Sequence, residues 1–485
     1  MVRHIALAVS LILPAVGWCQ EAKPMTLRER IDAVLAATEP LQFPRGDRLP
    51  IRAMGLEGVP SDDDAENERL LRELDARGLA LSARWDPGNV ESSLAQAMRL
   101  GRLQQKLGLE IGIDANACMH SFFNGDERTA HIDDADAPFF DDSFGEQHKM
   151  GCPFAMDFRY PEIKAQFEAF LRPYKEAGLE VSFIYLDWEV DGPVEWNGAW
   201  EASKRCKRCR ENLPDIDDFR AFQKRLRTIR ADMQRQVYAD TVKAYFPQAL
   251  VGNYAEYPND GYRYWYDYFE VLPEGAPVKT DVRAKYREWP NLFPSTGYTF
   301  AMPVVYTWYP TFGWYDFPDP DFRWFYNMLL VATNACKSAG DTVPIISWLH
   351  WHTTSPPSEP DPNVKQLSEE KYQELIWHML LRGTDGLMNW CMDAETTKEI
   401  QLIQQVYAAS LEYKEFLDKG TPVALDVPTV PAPVVSALRL DDRVLVRRTE
   451  FGGIEANVVL RIPGARPIFV PASPGHCQIL GPGAR

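Results

Sequence analysis

Val181-Ser-Phe-Ile-Tyr-Leu-Asp-Trp-Glu189 opens as a nearly continuous run of strand-forming residues and closes on two carboxylates separated by one tryptophan. A run apolar on both faces suits a strand covered from both sides, the condition of a parallel sheet in an α/β protein. Residues two apart on a strand share a face, so Asp187 and Glu189 are expected to project together from its C-terminal end. Working outward, seven further short apolar runs punctuate the chain, at residues 49–55, 79–85, 109–114, 249–254, 301–306, 343–348 and 386–390. Between them, residues 66–77, 92–105, 161–177, 219–245, 322–338, 368–381 and 398–417 carry apolar side chains at helical spacing. Eight strand runs alternating with seven helical segments predict an α/β protein of the (β/α)8 TIM-barrel class.

Finer punctuation agrees with that frame. Ser368, followed by Glu369 and Glu370, reads as an N-cap with acids in the first turn, and Gly178 and Gly383 stand where a helix C-terminus favours glycine. Residues 115–159 are too many for an ordinary βα connection and follow the third strand, on the face where barrel sites form, so they are expected to wall a cleft. At Gly420 the character changes: residues 421–433 are proline-rich, and short strand patterns such as 443–446 and 457–460 follow. The expected division is a signal segment at 1–20, a barrel at 21–420 and a small all-β C-terminal domain at 421–485.

A length of 485 residues accommodates such a barrel with an appendage, and 45% hydrophobic with 25% charged residues excludes a disordered or fibrous chain. The formal net charge of −17 repels polyanions, so nucleic acid is not an expected partner and neutral solutes are. Met1-Val-Arg-His4, an apolar stretch over 5–18 and a polar stretch after it have the layout of an export signal, which predicts a secreted or periplasmic protein. That stretch is too short for a membrane span and no later one reaches eighteen apolar residues, so stable membrane insertion is not expected. Cys19 follows the bulky Trp18, and a lipid anchor is not expected there. Seven other cysteines leave at least one thiol unpaired: Cys118 and Cys152 are placed to staple the long loop, and Cys206-Lys-Arg-Cys209 has half the spacing of a zinc knuckle without a second nearby pair, which favours a local disulfide or structural thiols.

Paired carboxylates at a strand mouth let one acid carry charge while its neighbour keeps a proton, the division of labour needed to break a glycosidic bond. Glu189 is the candidate general acid and Asp187 its partner. Glu256 after the fifth strand and Asp393 after the eighth are candidates for a separate base or nucleophile. Aromatic residues are abundant at or beside the strand ends, among them Trp85, Trp308 and Trp348, and flat faces of this kind stack on the apolar faces of sugar rings or else pack the core. His350-Trp-His352 sets two imidazoles on one strand face, the beginning of a metal site that would need Glu256 or Asp393 as a third ligand. The carboxylate pair accounts for hydrolysis without an ion, so neither metal nor other cofactor is expected.

Leu186-Asp-Trp-Glu189 resembles the end of the fourth-strand D-x-x-D-x-D-x-E motif of family 18 chitinases and, more closely, the D-x-E of hyaluronidases; Ser182 and Tyr185 stand where the chitinase pattern has aspartates. Gly252-Asn-Tyr254 with Tyr257-Pro258 is similar to the fifth-strand Tyr and following Pro of hyaluronidases, and Gly386-Leu-Met-Asn-Trp390 to their final strand. The resemblance implies a retaining glycosidase acting on an oligo- or polysaccharide that contains N-acetylhexosamine, whose own acetamido oxygen attacks the anomeric carbon. It further implies that Glu189 protonates the leaving oxygen, that Asp187 orients the acetamido group, that Tyr254 and Tyr306 hydrogen-bond it, and that Trp390 floors the subsite. Two alternatives stay open on the residues alone: a two-carboxylate glycosidase on a plain neutral polysaccharide, and a glycan-binding barrel without catalysis.

Overall fold

Each of the eight apolar runs carries a parallel strand. They are β1 (Arg52–Ala53), β2 (Ser82–Arg84), β3 (Ile111–Asp114), β6 (Val181–Leu186), β7 (Leu250–Asn253), β8 (Val304–Trp308), β9 (Ile346–Thr354) and β10 (Gly386–Asn389), with a short antiparallel pair, β4 (His131–Ile132) and β5 (Pro138–Phe139), inserted after β3. The computed structural model describes residues 25–118, 125–145, 147–188, 194, 196–259, 292–308, 317–354, 365–390, 395–453 and 458–481. The expected signal segment, Glu189 and Asp393 lie outside them, and Trp308 and His352 are described in their backbone only.

The strands form two four-stranded parallel sheets, β2-β3-β6-β7 and β1-β10-β9-β8. Sparse contacts join the sheets at both edges. Parallel bridges Ile51↔Leu79 and Glu57↔Ser82 link β1 to β2, while Thr299 N donates to Val251 O at 2.8 Å and Met302 N to Glu256 O at 2.8 Å beside β7. Strand alternation sorts the side chains. Phe183, Tyr185, Phe300, Met302, Ile346, Trp348 and Met388 fill the interior between the sheets, and Ile113, Ile184, Leu186 and Leu387 pack outward with helix residues such as Phe167 and Phe170. The interior also takes Arg52, whose guanidinium lies 4.6 Å from the Phe183 ring centroid. Gly112 makes room for it, since a Cβ there would run into that guanidinium.

Helices fall where the periodicity predicts them. Ser368 caps Glu369–Leu380 by accepting from Lys371 N at 3.3 Å, and Gly178 and Gly383 adopt φ of 68° and 89° after their helices. The segment expected as one helix over 219–245 is interrupted by a π-helical turn, Arg235–Ala239, between Phe219–Gln234 and Asp240–Tyr245. Tyr238 in this turn is buried and lies 3.2 Å from Ile184 O and 3.1 Å from Gly252 O, so its hydroxyl couples β6 to β7. The helix Leu27–Ala37, closed by a Thr26–Glu29 capping box, was not expected, because its apolar face is narrow. No helix among the described residues is long and apolar enough to cross a membrane.

After residue 420 the strands are antiparallel: β11 (Thr421–Pro422), β12 (Val434–Leu440), β13 (Arg443–Thr449) and β16 (Gln478–Leu480) in one sheet, β14 (Val458–Leu460) and β15 (Ile468–Val470) in another. This part docks on the helices. Phe451 sits against Phe322 and Phe325 at 5.2 and 4.9 Å between centroids, and the Arg447 guanidinium pairs with Glu374 on the helix Glu369–Leu380. Buried His378 bonds Ser436 Oγ at 2.7 Å and Thr449 Oγ1 at 2.9 Å, and burial holds its imidazole well below the ordinary pKa, hence neutral.

The cysteines depart from expectation. Cys118 is a buried free thiol in the main core, and Cys152 lies instead beside Cys209, at 3.4 Å between sulfurs. The 115–159 loop folds back on the segment after β6, so sequence neighbours do not become partners.

Candidate active site

Continuing the interior face past the strand ends brings one ring of side chains to the C-terminal mouth: Met54, Arg84, Asp114, Asp187, Tyr254, Tyr306, His350 and Trp390, one from each strand in turn. Its two halves differ in chemistry. Arg84 and Asp114 end β2 and β3 and Asp187 follows β6, while Tyr306 and His350 lie on strands of the opposite sheet and Trp390 directly follows another.

The acidic half includes Glu57, bridged to β2 by its backbone. Burial and the charge of Asp114 push the Glu57 carboxyl up to about 8, against the opposing pull of the Gly55 N–H, which donates to it at 2.7 Å. Burial likewise raises Asp114, whose Oδ1 accepts from Asn116 N at 2.8 Å. Asp187 is pushed up to about 7, first by burial and then by Asp114. Its Oδ1 is enclosed and has no hydrogen-bond partner among the described residues. Like charges too close to ionise together share protons, so this half of the mouth stores a proton at neutral pH. Glu57, Arg84, Asp114 and Asn116, with Arg30, Met54 and the segment at Met25 and Leu27, line a cleft of about 400 Å³.

The aromatic half is tied together by hydrogen bonds and ring edges. The Tyr254 and Tyr306 hydroxyls are 2.6 Å apart, Tyr254 stands edge-on to Trp348 at 5.7 Å, and Tyr306 meets Trp390 at 5.8 Å. His350 is fixed between the Trp390 ring, at 4.8 Å, and the fully buried Glu399, whose Oε2 is 3.2 Å from Nδ1. Glu399 Oε1 accepts from Trp351 N at 2.7 Å and from the Tyr372 hydroxyl at 2.9 Å, so the carboxylate sets the imidazole's orientation from beneath.

Of the residues singled out in the sequence, the fold brings Asp187, Tyr254, Tyr306 and Trp390 to this mouth together with His350. Others lie elsewhere. Trp85 is fully buried in the outer layer, stacked on Phe170 at 5.0 Å, because the strand turns its end away from the interior. Trp348 is 1% exposed and floors the interior beneath Tyr254, and Tyr257 is 6% exposed, so their faces are taken up by packing and none is free for a sugar ring. Glu256 is no free base: it pairs with the Arg230 guanidinium and lies 3.7 Å from Arg227. Ala255, at a φ of 57°, makes the sharp turn that separates Tyr254 from Glu256. Glu189, Asp393 and the Trp308 side chain lie outside the described residues.

Glu57, Asp114 and the Glu399 support were not foreseen. The run Ile111-Gly-Ile-Asp114 ends on an acid as the run from Val181 to Asp187 does, which is a usable signal; Glu57 and Glu399 reach the site by tertiary placement alone.

No family profile matches the chain, and no curated protein does. Among solved structures it is similar to alpha-L-fucosidase isoenzyme 2 from Paenibacillus thiaminolyticus, with 12% identity and a TM-score of 0.44 over 78% of this chain and 51% of that one. It is similar to the GH36 alpha-galactosidase AgaA from Geobacillus stearothermophilus, with 10% identity and a TM-score of 0.42 over 94% and 53%. A third is bee venom hyaluronidase, with 13% identity and a TM-score of 0.33 over 70% and 99%. The chain spans about half the length of the first two. Likenesses this distant assign no chemistry, which has to come from this chain's own side chains.

Proposed function

We propose that the eight parallel strands close into one (β/α)8 barrel spanning residues 21–420, with residues 421–485 as an appended β domain, and that the mouth is the active site of a retaining glycoside hydrolase. The observation that carries this is the pairing at one strand-end ring of a proton-holding carboxyl, Asp187 at about 7, with the Tyr254–Tyr306 hydroxyl pair at 2.6 Å. Neutral sugars suit such a wall: the acids and hydroxyls meet ring hydroxyls and amides, and Trp390 offers an apolar face.

In the proposed reaction the substrate is an N-acetylhexosamine-containing glycan. The acetamido oxygen attacks C1 as Glu189 gives its proton to the departing glycosidic oxygen. Asp187 releases its proton to water as pH rises through about 7, and its carboxylate then accepts the acetamido N–H and offsets the positive charge of the oxazolinium ion, while Tyr254 hydrogen-bonds the attacking oxygen. Water, deprotonated by the Glu189 carboxylate, then opens the ring with net retention. Asp114 favours a second reading, a two-carboxylate mechanism on a plain sugar, because it is a further strand-end acid held near Asp187.

A panel of aryl glycosides with and without a 2-acetamido group tests both. Preference for the acetamido series, abolished in Glu189→Gln with binding retained, supports substrate assistance. Equal hydrolysis of plain glycosides refutes it in favour of two carboxylates, and binding without turnover of any substrate refutes the enzymatic reading.

A further inference from the structure

His131, Cys152, Cys206 and Cys209 stand apart from the mouth, in a lobe that the proposed glycosidase chemistry does not use. Their ligand-type atoms, three sulfurs and one imidazole nitrogen, all lie within 4.8 Å of one another, and all four residues are buried. Cys152 Sγ is 3.4 Å from Cys209 Sγ, and Cys209 Sγ is 3.8 Å from His131 Nδ1. Four ligands on a tetrahedral zinc, with bonds of about 2.0 to 2.3 Å, sit about 3.5 to 4 Å apart, so this is the spacing of a closed coordination shell. We propose that these four side chains bind a structural Zn²⁺ as a Cys3His site.

The architecture around them fits that assignment. The ligands come from three separate pieces of chain: β4, the loop after β5, and the segment that joins the helix Trp200–Arg205 at Cys206 to the first turn of the helix Lys207–Asn212 at Cys209. Cys206-Lys-Arg-Cys209 supplies two of them at the spacing of a zinc knuckle, and the fold, rather than the local sequence, brings the second pair. Phe139 stacks on the His131 ring at 5.1 Å and 20°, which fixes the plane of the imidazole. Leu213, Ile216, Phe222 and Leu226 pack around the sulfurs and keep water out.

Charge supports the same conclusion. Three thiolates and one neutral imidazole around a divalent ion leave one net negative charge. Five cations flank Cys206 and Cys209 in sequence; Lys204, Lys207 and Arg210 pair with Glu201, Asp136 and Asp134, and Arg205 and Arg208 add further positive charge beside the ligands. Soft sulfur ligands with one imidazole and no open position select zinc as a closed structural ion over magnesium or calcium. Its effect is to pin the lobe that carries Trp196, whose Nε1 donates to Ser143 Oγ at 2.8 Å.

The test is elemental analysis and intact mass of the full chain purified without chelator. The expected result is about one zinc per chain with all three thiols reduced under denaturing mass spectrometry. Cys209→Ser and His131→Ala each remove a direct ligand and should lower zinc affinity by more than the roughly 10- to 100-fold that loss of an outer-shell partner costs. Should those variants fail to fold, cobalt exchange into the wild-type chain still decides, because thiolate-to-cobalt charge transfer with tetrahedral ligand-field bands is expected. A zinc-free protein carrying a Cys152–Cys209 or Cys206–Cys209 disulfide, or a cobalt spectrum without thiolate bands, overturns the proposal, and neither result depends on glycosidase activity.

Discussion

Replacing Asp187 with Asn removes a carboxyl that the fold keeps protonated at a cost. In the unfolded chain the group ionises near 3.8, and in the folded chain near 7. Between those values the folded state holds a proton that the unfolded state has released, so wild-type stability falls as pH rises through the window and levels off above it. The separation of about 3 units, at 1.36 kcal/mol each, is about 4 kcal/mol, and because Asp114 titrates with Asp187 about 2–4 kcal/mol belongs to this substitution. Asp187→Asn is therefore expected to match the wild type near pH 4 and to exceed it by about 2–4 kcal/mol above pH 7. Urea unfolding midpoints at pH 4, 6 and 8 read the difference, with turnover of an acetamido glycoside measured on the same samples and expected to collapse. A stability difference that stays constant across that range, or a variant weaker than wild type at pH 8, refutes the claim that this acid is stored in neutral form.

Other expectations follow from the same contacts. Tyr254→Phe removes one end of the 2.6 Å hydroxyl pair and should lower turnover on acetamido substrates about 10- to 100-fold while leaving the thermal midpoint nearly unchanged; a fall in stability without loss of rate assigns the hydroxyl to the fold. Glu399→Gln leaves fewer acceptors for Trp351 N, Tyr372 and His350 and should destabilise by about 2–4 kcal/mol in denaturant titration; a loss below about 0.5 kcal/mol shows that the imidazole is held otherwise. Glu374→Ala strands the buried Arg447 guanidinium and should cost about 3–5 kcal/mol, whereas Glu374→Met with Arg447→Met should recover most of it; equal losses in both show that the pair is needed for more than charge balance.

Much of the framework was legible because it is periodic. Each apolar run marks a strand, and the two glycines and Ser368 mark helix ends for reasons of backbone conformation that act locally. Alternation within Val181–Leu186 places Asp187 on the interior face, and alternation within β7 and β10 does the same for Tyr254 and Trp390. What sequence could not supply was partnership across the chain. The Arg230 guanidinium that engages Glu256 lies 26 residues away, Glu399 lies 49 from His350, and Cys209 lies 57 from Cys152. Trp85 and Trp348 mislead for a related reason: an indole at a strand end packs a core as readily as it stacks on a sugar, and only the neighbours decide.

The two sheets touch through a handful of backbone contacts, and the 2.6 Å hydroxyl pair spans one of those joints, from the β7 side to the β8 side. Proton store and stacking surface are thus mounted on separate leaves of one clasp. Small changes at Ile51, Leu79 or Thr299 would alter the gap between the leaves and retune the proposed active site without replacing any of its side chains.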